Sequence, residues 1–162
     1  MTGQKKLLPS LSGGDVLPGL VSGGQADQAQ FGFNVRYNQS GEIHKNSDFQ
    51  VKYETGKGCG KPSQAASCHI FELDAISIAW LTTQGENDST GIFQGTAKLN
   101  IDGQTANVVF RLAGLDGQLL DNASEDYLTL KIYPEGANLA IDAPLYQVSA
   151  EVPRGNIKVG RW

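Results

Sequence analysis

From residue 29 onward, apolar side chains return at every second position, the period of a strand with one buried face. Phe31, Phe33, Val35 and Tyr37 alternate with Gly32, Asn34 and Arg36. Phe49, Val51 and Tyr53 alternate with Gln50 and Lys52, and Ile76, Ile78 and Trp80 with Ser77 and Ala79. Phe93, Ala97, Leu99 and Ile101 share one parity, with Gln94, Thr96, Lys98 and Asn100 on the other. Val108, Phe110 and Leu112, then Leu128, Leu130 and Ile132, continue the pattern, and Ile157 and Val159 close it. On this reading Trp80 belongs to the core.

Turn residues separate these runs. Asn100-Ile101-Asp102-Gly103-Gln104 predicts a tight hairpin, with Gly103 where the left-handed backbone would make a side chain clash. It pairs residues 91–100 with 104–113. Gly85 to Ser89 and Gly114 to Gly117 read as further turns. Apolar residues nowhere recur at helical spacing over a long window; only Leu115 to Glu125 suits a short helical turn. About eight strands without helices predict an all-β fold, an antiparallel two-sheet β-sandwich of jelly-roll or Ig-like kind.

Residues 1–28 follow no such period. Pro9, Gly13, Gly14, Pro18, Gly19, Gly23 and Gly24 interrupt each apolar cluster. The segment reads as a Gly/Pro-rich leader or linker arm before a β-sandwich domain at 29–162. The sharper alternative is an apolar arm that adds a strand to a neighbouring domain or to another copy of the chain.

Composition sharpens this picture. Glycine supplies 20 of 162 residues, well above the usual ~7%, and charged residues only 19% against ~25%. Many turns and few charged faces suit β structure. Lys plus Arg number 13 against 17 Asp plus Glu, for a net charge of −4. No basic stripe is present, which argues against nucleic acid as a partner. No apolar run reaches the ~20 residues of a membrane helix. The first nine residues carry Lys5 and Lys6 but no apolar core of signal-peptide length after them.

Cys59 and Cys68 lie in a loop-like stretch of glycine, proline and small residues. An even count of two suits one disulfide, which points to an oxidising compartment. Closing a loop of this length stabilises by about 2.5–3 kcal/mol before strain. A zinc site from Cys59, Cys68, His69 and His44 is the competing arrangement, but the cysteine spacing is wrong for a zinc knuckle.

Hard oxygen donors gather between residues 116 and 126. Asp116, Asp121, Asn122, Glu125 and Asp126 are candidate Ca²⁺ ligands, although their spacing is not that of an EF-hand; a polar loop is the plainer reading. Tyr127, Tyr133 and Tyr146 are candidates for an aromatic platform that binds a glycan. Glu72 and Asp74 share a strand face, as paired acids do in glycosidases, yet solvated surface acids are the ordinary case. With two histidines and no nucleophile, phosphate-loop or metalloprotease motif, no catalytic residue is assigned. Three N-x-S sequons begin at Asn38, Asn87 and Asn122 and matter only in a eukaryotic secretory host.

The order of these pieces carries a resemblance. Ser22-Gly23-Gly24 is followed by Phe31-Gly32-Phe33-Asn34-Val35-Arg36-Tyr37, Phe49-Gln50-Val51 and Phe93-Gln94-Gly95-Thr96-Ala97. Leu115-Asp116-Gly117, Asp126-Tyr127-Leu128-Thr129-Leu130-Lys131-Ile132 and Gly155-Asn156-Ile157-Lys158-Val159 complete it. Across residues 21–160 the chain resembles a bacterial extracellular all-β domain of large multidomain secreted and cell-surface proteins. It departs from that pattern at Asn100-Ile101-Asp102-Gly103 and in the inserted cysteine loop. The resemblance implies a non-catalytic extracellular or cell-surface module, structural, adhesive or assembly-forming, whose partners are neighbouring domains or copies of itself. It carries over no functional residues. A carbohydrate- or Ca²⁺-dependent binding module is the alternative.

Overall fold

A computed structural model describes residues 9–18, 28–55, 69–121, 124–152 and 157–161. Nine strands account for most of them: β1 (Pro9–Pro18), β2 (Gln28–Arg36), β3 (Asp48–Thr55), β4 (His69–Gln84), β5 (Thr90–Ile101), β6 (Gln104–Leu115), β7 (Asp126–Pro134), β8 (Tyr146–Val152) and β9 (Ile157–Arg161). The fold is all-β and antiparallel, as the alternation predicts. The strands form one sheet, ordered β8-β7-β6-β5-β4-β3-β2-β1-β9, curled nearly into a barrel. Two clearly separate sheets, the predicted sandwich, are not what it shows. Alternation reveals that each strand has a buried face; it does not reveal whether that face meets a second sheet or the far wall of the same one.

The first eight strands meander, each pairing with the next. The predicted β5–β6 hairpin forms, but its register, from Gly91 opposite Gly114 to Ile101 opposite Gln104, is one residue off the predicted pairing of 91–100 with 104–113, because the turn takes two residues rather than three. Its turn residues Asp102 and Gly103 both have positive φ, 52° and 89°, the two-residue turn whose twist matches that of paired strands. Leu115 to Glu125 contains one short 3-10 turn, Gly117–Leu119.

Within the segment read as a leader arm, Pro9–Pro18 form β1. It pairs with β2 along Ser10 to Pro18 and with β9 along Pro9 to Gly13, and Leu11 is fully buried. This strand is therefore held inside the chain's own sheet.

The interior is aromatic at its centre. Phe33, Phe49, Phe93 and Phe110 form a ring cluster with centroids 4.9–6.4 Å apart. Such pairs contribute about 0.5–1.5 kcal/mol each beyond area burial. Leu73, Leu112, Leu128, Leu130 and Ile132 extend the core around them. Toward one end the walls draw closer. Gly91 and Gly114 are register partners, and a β-carbon on Gly91 would sit 2.8 Å from Leu11 Cδ1. A β-carbon on Gly114 would sit 3.2 Å from Ile157 Cγ2. Missing side chains on β5 and β6 thus admit the apolar side chains of β1 and β9.

β4 departs most from its predicted face. Its pairing with β5 shifts between Ala75 and Ser77 and again between Ile78 and Trp80. Each bulge adds a residue, so the core-directed positions run Phe71, Leu73, Ala75, Ile78, Leu81. Ile76 is left 61% exposed. Trp80, expected in the core, is half-buried outside the core cluster. Gly95 lies opposite Ile78, where a β-carbon would fall 1.9 Å from the Ser77 carbonyl oxygen. Only glycine lets the bulged strand lie there.

Candidate functional site

Two aspartates hold the seam of the sheet. β8 pairs with β7 and β9 with β1, so these two strands form the two edges of the sheet. The second edge of β9 meets no strand among the described residues. Asp126 serves it instead: Oδ2 accepts the Ile157 N–H at 2.7 Å and Oδ1 accepts the Gly117 N–H at 2.9 Å. Asp116 Oδ2 accepts the Val159 N–H at 3.2 Å, and its Oδ1 accepts the Gln118 N–H at 3.2 Å. Asp126 is fully buried and Asp116 nearly so. A carboxylate accepts only, so donors two residues apart along one strand edge suit these acids. Gly117 fits because a β-carbon there would meet the Glu125 carbonyl oxygen at 2.1 Å.

Thus two of the candidate Ca²⁺ ligands, Asp116 and Asp126, carry structural hydrogen bonds. Asp121 and Glu125 are exposed, and Asn122 lies outside the described residues. Among the described residues no group of three or more His, Cys, Asp or Glu side chains gathers to hold a metal ion.

Other polar side chains serve the backbone too. Tyr37 Oη donates to the Leu81 carbonyl at 2.7 Å and accepts the Leu81 N–H at 2.9 Å. The β3–β4 ladder stops at Asp74, so Leu81 lies on a stretch of β4 that β3 does not cover. Asp102 Oδ1 accepts the Ile70 N–H at 2.8 Å and ties the hairpin tip to the start of β4.

The outer face of β4 to β8 presents a different chemistry. Successive registers align Trp80, Gln94, Arg111, Lys131 and Gln147 in one row across five strands. Arg111 donates from Nε and Nη2 to Gln94 Oε1 at 3.1 and 2.8 Å. Its guanidinium carbon lies 5.6 Å from the Trp80 ring centroid. The flanking rows place Thr129 beside Ser149, with hydroxyls 3.1 Å apart, and Ser77 beside Thr96, with hydroxyls 2.7 Å apart.

The tyrosines do not share a platform. Tyr127 is exposed, Tyr133 is buried, and Tyr146 is half-buried with its ring edge-on to Phe71 at 5.7 Å. Tyr127 and Tyr133 stand six residues apart on β7, about 20 Å by strand rise. Glu72 and Asp74 line a shallow outer depression of about 390 Å³ with Gln50 and Lys52, beside the gap left by Gly32. Lys52 Nζ lies 3.8 Å from Glu72 Oε1, and Asp74 stands opposite Lys98.

Cys59 and Cys68 lie outside the described residues. The competing zinc set is split by the fold. His44 precedes β3, whereas His69 stands opposite Thr55 at the far end of that strand, about 25 Å away by strand rise. His44 instead accepts the Asn46 N–H at Nδ1.

The row through Arg111 went unmarked in the sequence, whose predicted hairpin pairing is one residue out of register. A two-residue turn at Asp102-Gly103 sets Gln94 opposite Arg111. Lys131 joins only through the β6–β7 register, which sets it opposite Arg111. No helix among the described residues is long and apolar enough to cross a membrane. Comparisons with family models, curated proteins and solved structures find no match to this chain.

Proposed function

We propose that this chain is a non-catalytic β-module of the cell surface or extracellular space, with an adhesive or structural role. One observation carries the reading: the buried acids Asp116 and Asp126 bind the chain's own backbone and tie β9 to the β6–β7 connection. These two buried acids are engaged in holding the scaffold together. The even count of two cysteines, Cys59 and Cys68, supports an oxidising compartment.

Thiol titration of the natively expressed protein, purified without reductant, tests the compartment. No free thiol before reduction and two after it is the expected result; two free thiols in the native protein would overturn an extracellular location. For the role, beads coated with the full chain should be retained on surfaces bearing extracellular polysaccharide or matrix protein. Turnover of a glycoside or ester by the same preparation, abolished by Glu72→Gln or Asp74→Asn, would replace this reading with an enzyme.

A further inference from the structure

Gly32 stands in the middle of β2, and nothing within the fold requires it to be glycine. Its pairings with Gly14 on β1 and Gln50 on β3 run in unbroken register, it has no positive φ, and a β-carbon there would meet nothing within 4 Å. Gly91, Gly95 and Gly114 differ, since Leu11, the Ser77 carbonyl and Ile157 crowd the space that a side chain would take. Glycine inside a strand weakens it. Where no bulge and no packing calls for it, it marks a place where a ligand or another chain approaches the backbone closely. Gly32 lies on the outer face, between the buried Phe31 and Phe33. The depression of about 390 Å³ opens beside it, lined by Gln50, Lys52, Glu72 and Asp74.

We propose that this depression binds a neutral polysaccharide, which lies against Gly32. The inference rests on the adhesive reading above and names its ligand class. Charge favours a neutral chain: Glu72 Oε1 lies 3.8 Å from Lys52 Nζ, and Asp74 stands opposite Lys98, so acids and lysines balance. Hydrogen bonding favours sugar over peptide. β2 is paired on both sides at Gly32, so its backbone has no edge to offer an added strand. Side chains must read the ligand instead. The carboxylates only accept, Lys52 only donates, and the Gln50 amide does both. Hydroxyl groups, each a donor and an acceptor, satisfy all of them. Gln50 and Asp74 are exposed and make no side-chain hydrogen bond or ion pair among the described residues, so a sugar displaces no partner of theirs. One register row runs Gly14, Gly32, Gln50, Asp74, about 14 Å long at the spacing of paired strands. That length suits several units of a sugar chain lying across the strands.

The test is titration calorimetry of the full chain with neutral hexasaccharides of glucose, mannose and galactose. Polygalacturonate, an acidic glycan, and carboxymethylated casein, an unfolded polypeptide, are the comparators. Wild type should bind at least one hexasaccharide, and added salt should leave that binding unchanged. Gly32→Thr puts a side chain at the depression and should weaken binding about tenfold or more. Its melting temperature should stay the same or rise, because threonine is the better strand former. Asp74→Asn turns a charged acceptor into a neutral amide of the same shape and should weaken binding about fivefold. No binding of any hexasaccharide, binding unchanged in Gly32→Thr, or equal or tighter binding of polygalacturonate or casein would each overturn the proposal. So would a melting temperature lowered by Gly32→Thr, since the glycine would then serve the fold. If beads coated with Gly32→Thr adhere to surfaces as wild type does, the adhesive reading stands and this site falls. If wild-type beads adhere to nothing while a hexasaccharide binds and Gly32→Thr weakens it, the adhesive reading falls and this site stands.

Discussion

Single atoms decide which substitutions this sheet tolerates. At Gly95 a β-carbon would overlap the Ser77 carbonyl oxygen at 1.9 Å, and backbone cannot turn aside as a side chain can. Gly95→Ala should therefore cost about 3 kcal/mol or more, above the common range for overpacking. Gly32 meets nothing within 4 Å and has no positive φ, so Gly32→Ala should change stability by about 0.5 kcal/mol or less. Urea denaturation of the two variants checks the contrast; similar midpoints would refute the bulge contact. Tyr37 makes the same point for hydrogen bonds. Tyr37→Phe keeps the ring and removes both bonds to Leu81, leaving backbone groups without that partner. A loss of about 1–3 kcal/mol is expected by the same measurement. Neither Gly95 nor Tyr37 announces this role in the sequence. Each acts across the fold, on Ser77 in a bulge and on Leu81 44 positions away.

At the scale of elements, legibility follows regularity. β5 and β6 alternate without interruption, β7 does so as far as Ile132 before Tyr133 is buried as well, and their core faces are those the sequence marks. β4 defeats the pattern because two bulges shift its parity, which turns Trp80 out of the core and toward Arg111. β1 defeats it because Gly13, Gly14, Pro9 and Pro18 are poor strand formers, and pairing on both sides outweighs them. β9 is short and depends on its neighbours. Ile157 is buried against Gly114, and Asp126 accepts its N–H. Asp126→Ala should free that edge and leave the Gly117 and Ile157 amides without their acceptor, at a cost of about 3 kcal/mol. Hydrogen exchange should show the Ile157 and Val159 amides losing protection while β5 and β6 keep theirs. Uniform loss over the whole sheet would mean that β9 is not a separable unit.

For the whole molecule, closure links the most distant parts of the chain. The β5–β6 hairpin is local, with partners joined by a two-residue turn, whereas the β1–β9 ladder pairs Pro9 with Arg161. Nothing in the alternation of apolar residues encodes that second pairing, which is why it predicts a sandwich as readily as a curled single sheet. The difference should appear in folding kinetics. Loop-closure entropy opposes distant contacts until intervening structure exists, so the hairpin should form in the transition state and the seam after it. Gly103→Ala strains a positive-φ turn, at about 1 kcal/mol, without meeting any neighbouring atom. Ile157→Val removes one buried methylene, at a similar cost of about 1 kcal/mol. With equal losses, Gly103→Ala should chiefly slow folding, and Ile157→Val should chiefly speed unfolding. Stopped-flow folding and unfolding limbs across urea read both effects. The reverse partition would mean that the chain nucleates by joining β1 to β9, and that the hairpin follows the seam.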